Sequence, residues 1–314
     1  DIRGWDFINQ DNAPLDDNMH GTHVAGIAGA VGNNGIGIAG AAWDVKLMHI
    51  KVFQSTGQGN STNIAAGVEY ASSNGAGIIN MSFGSLAESF TLELALQYAY
   101  NTSVLVAAAG NDRRGLDPCS TGYCKPMYPA AYNFVLGVQD LPPPILGYSN
   151  YDLTGPIFTY YTAKLLNYEL FAPGTNIMST IPNGGYAALT GTSMSTPLVA
   201  GGLALYRELK PTDSKELIFG TLIRYDENNE LIWWNFVDFL HTIEVEPSPR
   251  LYVISATARD TINNQNANGF WEPGETIEIL PMVNNYWGPS DDVRVRIEFA
   301  EFEDTSKATI IQDE

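Results

Sequence analysis

Gly77-Ile-Ile-Asn-Met-Ser-Phe83 and Ser103-Val-Leu-Val-Ala-Ala-Ala-Gly110 are two short apolar runs, and the segment between them decides the fold. From about Leu86 to Asn101 the apolar residues Leu92, Leu94, Ala95, Leu96 and Ala99 fall at helical spacing, so the three pieces read strand, helix, strand. A helix of that length carries the chain back over the sheet, which makes the two strands parallel and the crossover right-handed. The alternation continues on both sides: Val45 to Phe53 reads as a strand, a helix opens near Ser61-Thr62-Asn63, and Phe134 to Val138 reads as another strand. The expected fold is therefore α/β, a doubly wound and mostly parallel sheet, with its chemistry at the carboxyl ends of the strands.

Further along, a Pro- and Tyr-rich stretch (Leu141 to Lys164) leads to Phe171-Ala-Pro-Gly174 and then to Gly191-Thr-Ser-Met-Ser-Thr-Pro197. An apolar helix follows to about Leu209, and a second helical piece spans Trp234 to His241. Residues 1–245 are read as one catalytic-sized domain and the Pro-rich residues 246–250 as a linker. Residues 251–314 are read as part of an all-β, sandwich-like module, with strands at Leu251 to Ala256, Thr276 to Val283 and Val293 to Phe299.

The chain has 314 residues, 45% hydrophobic and 16% charged, enough for a large core and a smaller module. A formal charge of −19 with no basic stripe excludes nucleic acid as a partner, because phosphate binding needs clustered Lys and Arg. No run of 18 apolar residues occurs, so no membrane span is expected in this sequence. Acidity suits a secreted, extracellular protein. The two cysteines, Cys119 and Cys124, are spaced to close a small loop disulfide, with two unpaired thiols as the alternative.

Three segments carry chemistry. His20-Gly-Thr-His-Val-Ala-Gly26 sets an imidazole at the start of a helix rich in small residues. Asn111 directly follows the Val104 to Gly110 strand, where a carboxamide could hold a developing oxyanion; a turn asparagine is the bland alternative. Ser193 opens a helix whose free N–H groups and positive dipole end favour an oxyanion, although a serine there also reads as a simple N-cap.

Together, and in this order, the three segments resemble the subtilase family of serine proteases (peptidase family S8) over about residues 1 to 245. The resemblance implies a subtilisin-like fold, with His20 as general base, Ser193 as nucleophile and Asn111 as oxyanion donor. It also implies polypeptide substrates, an N-terminal propeptide and an acyl-enzyme route to peptide-bond hydrolysis. Asn80-Met-Ser-Phe-Gly-Ser85 resembles one wall of the family's primary specificity pocket, through Ser82, Phe83 and Gly84, and Ala109 and Gly110 resemble the other. Gly57 and Gly59 resemble the edge that pairs with an extended peptide, where glycine lets the backbone approach closely. Walls of Ala, Gly and Ser suggest a broad, mainly apolar preference. Met19 stands where the family usually has glycine, and Ser195 where alanine is common.

In subtilases the catalytic aspartate ends a strand ahead of the histidine motif, in an Asp-[Ser/Thr]-Gly pattern absent between Asp1 and Met19. Asp6, Asp11, Asp16 and Asp17 precede His20 without that context. The expectation is that the acid lies upstream, that the sequence is amino-terminally truncated, and that residues 1–314 alone hydrolyse peptides poorly. The competing reading is an inactive fragment or pseudoprotease acting as a binding module.

Two loops are candidate structural Ca2+ sites. Val31 to Ile38 resembles a family calcium loop, with a side-chain oxygen from Asn33 or Asn34 and carbonyls from Ile36 and Ile38; a Gly/Asn turn is the alternative. Asn264, Asn266, Asn268, Gly269 and Glu275 fall at EF-hand spacing, although Pro273 forbids the usual exiting helix and a polar hairpin loop is the alternative.

Overall fold

The computed structural model describes residues 2–112, 126–141, 149–150, 168–212, 222, 250–260 and 277–287. Cys119, Cys124, the loop from Asn264 to Glu275, and the strand and helix expected at Val293 to Phe299 and Trp234 to His241 lie outside the described residues.

In chain order the elements are β1 (Ile2–Asp6), α1 (His20–Gly29), β2 (Met48–Lys51), α2 (Ser61–Ser73), β3 (Ile78–Met81), α3 (Phe90–Tyr100) and β4 (Val104–Ala108). They continue with β5 (Leu136–Leu141), β6 (Leu170–Pro173), β7 (Ile177–Ile181), β8 (Gly185–Leu189), α4 (Thr192–Leu209), β9 (Arg250–Asp260) and β10 (Ile277–Trp287). The strand, helix, strand reading of residues 77–110 thus holds, with the helix trimmed to start at Phe90. Ser89 stops it there by accepting the Leu92 N–H at 3.3 Å. Asn60 caps α2 in the same way, accepting the Asn63 N–H at 2.8 Å.

Strands β3, β4, β5 and β6 form one parallel sheet in that order. Its two faces divide by alternation along β4. Leu105, Ala107 and Ala109 point into a core with Ala65, Val68 and Ala71 of α2 and Leu92, Ala95, Leu96 and Ala99 of α3. Val104 and Val106 point the other way, with Leu136, Val138, Leu170 and Ala172, onto Val199, Leu203 and Tyr206 of α4. Helices cover both faces, so the strands read as continuous apolar runs and the sheet is doubly wound as expected.

A second, two-stranded parallel sheet pairs β1 with β2. Among the described residues no strand pairing joins β2 to β3, yet α2 packs on both, and Met48 and Ile50 of β2 sit against the core that holds Ile79 of β3. The sequence reading did not separate the antiparallel hairpin β7–β8 as an element; Ser179 and Thr180 interrupt its first strand and both strands are only partly buried, unlike the interior strands. Strands β9 and β10 pair antiparallel over most of their length.

Helix α1 lies between α4 and β7, and small residues set how close it comes. A methyl on Gly26 would collide with the side chains of Thr180 and Ser179. On Gly201 of α4 it would stand 2.6 Å from Ala41 Cβ and 2.7 Å from the Ala28 carbonyl oxygen. Backbone cannot yield as a side-chain tip can, so Gly201→Ala should cost about 1–3 kcal/mol, read as a lower urea midpoint. An unchanged midpoint would show that α1 and α4 are free to separate.

Candidate active site

The histidine end begins where β1 stops. Asp6 is fully buried, and its carboxylate accepts the Ile8 and Asn9 N–H groups at 2.7 and 2.9 Å and the Asn9 carboxamide at 2.9 Å. It holds a turn. Asp11 accepts the Ala13 N–H at 2.9 Å. Asp17 pairs with Lys51 at the end of β2, 2.5 Å away, and the Asn18 carboxamide donates to the Ser55 carbonyl at 2.6 Å. These contacts pin the loop before α1 to the end of β2 and to the segment that carries Gly57.

Asp16 organises the start of α1. One carboxylate oxygen accepts the Asn18 and Met19 N–H groups, each at 2.9 Å, and the other accepts the Thr22 N–H at 2.7 Å and the Thr22 hydroxyl at 2.6 Å. Burial raises its pKa, but these hydrogen bonds outweigh burial and hold the carboxyl below the usual carboxylate range. Met19 takes φ 81°, a left-handed conformation that suits glycine and strains a longer side chain.

His20 is the first residue of α1 and is partly exposed. Burial pushes its pKa below the ordinary imidazole value, the Asp16 carboxylate pushes it back up, and His23 pushes it down again. His23, fully buried, donates from Nε2 to the Ala187 carbonyl at 3.0 Å and so ties α1 to β8. Among the described residues no hydrogen bond joins the His20 ring to a carboxylate.

The serine end is built on the last turn of β4 and the first turn of α4. Gly110, at φ 95°, bends the chain after β4 so that Asn111 faces the α4 start. The Asn111 carboxamide oxygen accepts the Thr192 N–H at 2.8 Å and the Thr192 hydroxyl at 3.1 Å, and that hydroxyl accepts the Gly110 N–H at 3.1 Å. With its oxygen committed to two donors, Asn111 has its NH2 left over, beside Gly191. Gly191 caps α4, leaving Ser193 inside the first turn, where its N–H has no intrahelical acceptor. From Gly191 to Pro197 only Ser193 is partly exposed, the others being buried.

Ser82 is locked to Ser193 from both sides. The Ser193 hydroxyl donates to the Ser82 carbonyl at 3.2 Å, and the Ser82 hydroxyl donates to the Ser193 carbonyl at 3.0 Å. The Asn80 carboxamide supports it, donating to the Ser82 hydroxyl at 3.0 Å. Asn111, Ser193, Ser82, Ala109 and Gly110 are therefore brought together, and the Ser193 hydroxyl bonds backbone rather than imidazole. Gly59 lies against the Phe53 ring, which packs on Phe83 with ring centres 5.0 Å apart. That contact links the glycine edge to the Phe83–Gly84 wall. Gly57, at φ 77°, turns the edge and gives its N–H to the Gln54 carbonyl at 2.8 Å.

Two positioning residues escaped sequence reasoning. Thr192 lies inside the serine motif, and a hydroxyl directly before Ser193 was the available signal. Asn150 lies within the Pro- and Tyr-rich stretch and is fully buried. Its carboxamide donates to the Ala109 carbonyl at 2.9 Å and accepts the Asp112 N–H at 3.0 Å, and its own N–H donates to the Gly110 carbonyl at 2.8 Å. It clamps the backbone on both sides of Asn111, and nothing in the surrounding sequence marks it.

The loop proposed for calcium closes on itself. The Asn34 carboxamide oxygen accepts the Ile36 N–H at 3.0 Å, and Asn33, Gly35 and Gly37 take φ values of 57°, 71° and 62°. Among the described residues no three His, Cys, Asp or Glu side chains gather as a metal site.

Comparison with known proteins gives this geometry a family. A model described as "Subtilase family" matches residues 1–234. Thermitase from Thermoactinomyces vulgaris is 39% identical over 201 residues, 64% of this chain and 65% of that protein. Subtilisin Savinase from Lederbergia lenta is 38% identical over 210 residues, 67% of this chain and 70% of that one. The chain spans about half to two thirds of the length of several curated relatives. Among solved structures, Sphericase matches with TM-score 0.54 and 34% identity, covering 64% of this chain and 67% of that one. A cold adapted subtilisin-like serine proteinase matches with TM-score 0.57 and 27% identity, covering 76% and 82%. With its parallel sheet and the histidine, asparagine and serine motifs in order, the chain belongs to the subtilase family.

Proposed function

We propose that this chain carries most of the catalytic domain of a secreted serine endopeptidase. The observation that supports it most is the Thr192 interlock, which leaves the Asn111 NH2 and the Ser193 N–H, both at the start of α4, without an acceptor among the described residues. Two such donors beside a nucleophilic hydroxyl suit the oxyanion of acyl transfer. Ser193 Oγ turns from the Ser82 carbonyl toward His20, which takes its proton as the oxygen attacks the substrate carbonyl. His20 then returns the proton to the leaving amine, and water repeats the sequence on the acyl-enzyme. A purely binding module would have no use for so constrained a pair of donors.

The triad acid is placed upstream of Asp1. Asp6, Asp11, Asp16 and Asp17 already serve turns, the α1 start and Lys51. A strand carrying that acid would fit between β2 and β3, under α2, and join the two sheets. Residues 251–314 form a separate β module in this reading, and a propeptide is a further partner by likeness to the family. Ca2+ is proposed as a structural ion. The loop at Asn33, Ile36 and Ile38 offers three uncharged oxygens, fewer than the six to eight calcium takes, so it needs further ligands; Asn264, Asn266, Asn268 and Glu275 are the second candidate set. Neither takes part in the reaction.

In the full-length protein a fluorophosphonate should label Ser193 alone, and Asn111→Ala should lower kcat by about 10² to 10³, the loss known for a subtilisin stripped of one oxyanion donor. Labelling that survives Ser193→Ala would end the assignment.

EDTA should lower the melting temperature, because an ion bound only to the native state stabilises by mass action. A melting curve that EDTA leaves unmoved removes both calcium loops.

Asp16→Asn removes the charge that raises the His20 pKa, so His20 should stay neutral to lower pH. The acidic limb of kcat/KM, which reports the free base, should therefore move down in pH. A limb that stays in place would separate Asp16 electrostatically from His20.

A further inference from the structure

The two walls of the specificity cleft start at the reacting groups. Ser82 is bonded to Ser193, and Gly110 immediately precedes Asn111. A substrate whose carbonyl sits between Ser193 Oγ and the Asn111 NH2 must drop the side chain of its preceding residue (P1) between Ser82–Gly84 and Ala109–Gly110. That space already holds a side chain of this protein. A methyl built on Gly84 would lie 2.5 Å from Met127 Cγ and 2.8 Å from its sulfur, and one built on Gly110 would lie 2.8 Å from Met127 Cε. The thioether therefore reaches from one wall to the other, and Met127 is 7% exposed.

The backbone around Met127 is fixed at several points. Its N–H donates to the Tyr168 hydroxyl at 2.8 Å, and its carbonyl accepts the Ala131 N–H at 2.9 Å. The next residue, Tyr128, exchanges two backbone hydrogen bonds with Ser85, each 2.8 Å, at the end of the Gly84 wall. The side chain is thus delivered into the cleft from an anchored segment and is held between two glycines that leave it room.

We propose that Met127 is the specificity-determining residue of this site and floors the cleft so that it accepts small P1 side chains, Ala, Gly or Ser, and rejects aromatic ones. The proposal rests on the protease reading and narrows the broad apolar preference that the wall composition alone suggests. Without Met127 the walls would enclose a deeper slot lined by Ser, Gly and Ala. With it, a phenyl ring would have to displace a packed thioether. Pocket discrimination of one methylene is worth roughly 10- to 200-fold in kcat/KM, so a plug the size of methionine is ample.

The test uses the full-length protein in two ways. Cleavage sites in an unstructured protein substrate are mapped by mass spectrometry, and kcat/KM is compared for two peptides that differ only in Ala or Phe at P1. The expected map is dominated by small P1 residues, with Ala preferred over Phe by about tenfold or more. Met127→Gly should shift that ratio toward Phe by at least about tenfold. The wild-type map decides by itself if the variant fails to fold. A protein labelled at Ser193 that cleaves after aromatic residues keeps the protease reading and overturns this one, as does a folded Met127→Gly with an unchanged ratio. Absence of any Ser193-dependent cleavage overturns both.

Discussion

Thr192 is the joint on which the serine half of the site depends. Its N–H and hydroxyl both go to the Asn111 carboxamide oxygen, and the hydroxyl also receives the Gly110 N–H. The side chain lies buried, so these bonds form away from competing water and an unmade one would leave a desolvated donor or acceptor. The constraint does more than join β4 to α4. It also decides which end of the carboxamide is left over at the α4 start, the NH2 rather than the oxygen. Asn150 supports the same segment from the other side through Ala109, Gly110 and Asp112. Preorganisation of this kind means the donors need no rearrangement when charge develops.

The histidine half depends on close packing first and on polar joints that the packing allows. Gly201 against Ala28 and Ala41, and Gly26 against the Ser179–Thr180 hydroxyls, let α1 sink between α4 and β7. The Ser179 and Thr180 hydroxyls then donate to the His23 and Thr22 carbonyls at 2.7 and 3.0 Å, tying the first turn of α1 to β7. Small residues in the histidine motif are thus the reason that the helix carrying His20 can dock closely on the helix carrying Ser193. Met19 shows a local cost, since its left-handed backbone is one that glycine would adopt without strain.

Interior strands were legible in the sequence because a strand covered by helices on both faces must be apolar throughout. Val104 to Ala108 is such a run and is buried over its whole length. Hairpin β7–β8 is interrupted by Ser179 and Thr180, turns at Pro182 and Gly184, and is only partly buried, so it has no comparable signature. The histidine, asparagine and serine motifs were legible as motifs, and the structure puts His20 at the start of α1 and Asn111 beside the start of α4, where Ser193 lies. Asn150 and Met127 were not, because each acts through contacts made far along the chain, Asn150 with Ala109 and Met127 with Gly84 and Gly110. The composition of two walls says nothing about what stands between them.

The aspartates ahead of His20 show why order along a chain is a weak guide to electrostatic partnership. Asp16 is close enough to raise the His20 pKa, yet both of its oxygens are occupied by N–H and O–H donors at the α1 start. A carboxylate committed in this way can stabilise an imidazolium through space, but it cannot also accept the ring N–H along the direction that fixes the tautomer. Asp6 is further constrained: it is buried, and its three hydrogen bonds all come from the turn that follows β1. Freeing either residue to serve His20 would unpair backbone donors, a cost of about 1–3 kcal/mol for each one left buried without an acceptor. If His20 serves as the proposed base, its acid has to be a carboxylate without such duties. Among the described residues no strand pairs with the edge of β2 that faces β3 beneath α2, so that edge holds none of the contacts that set the loop before His20.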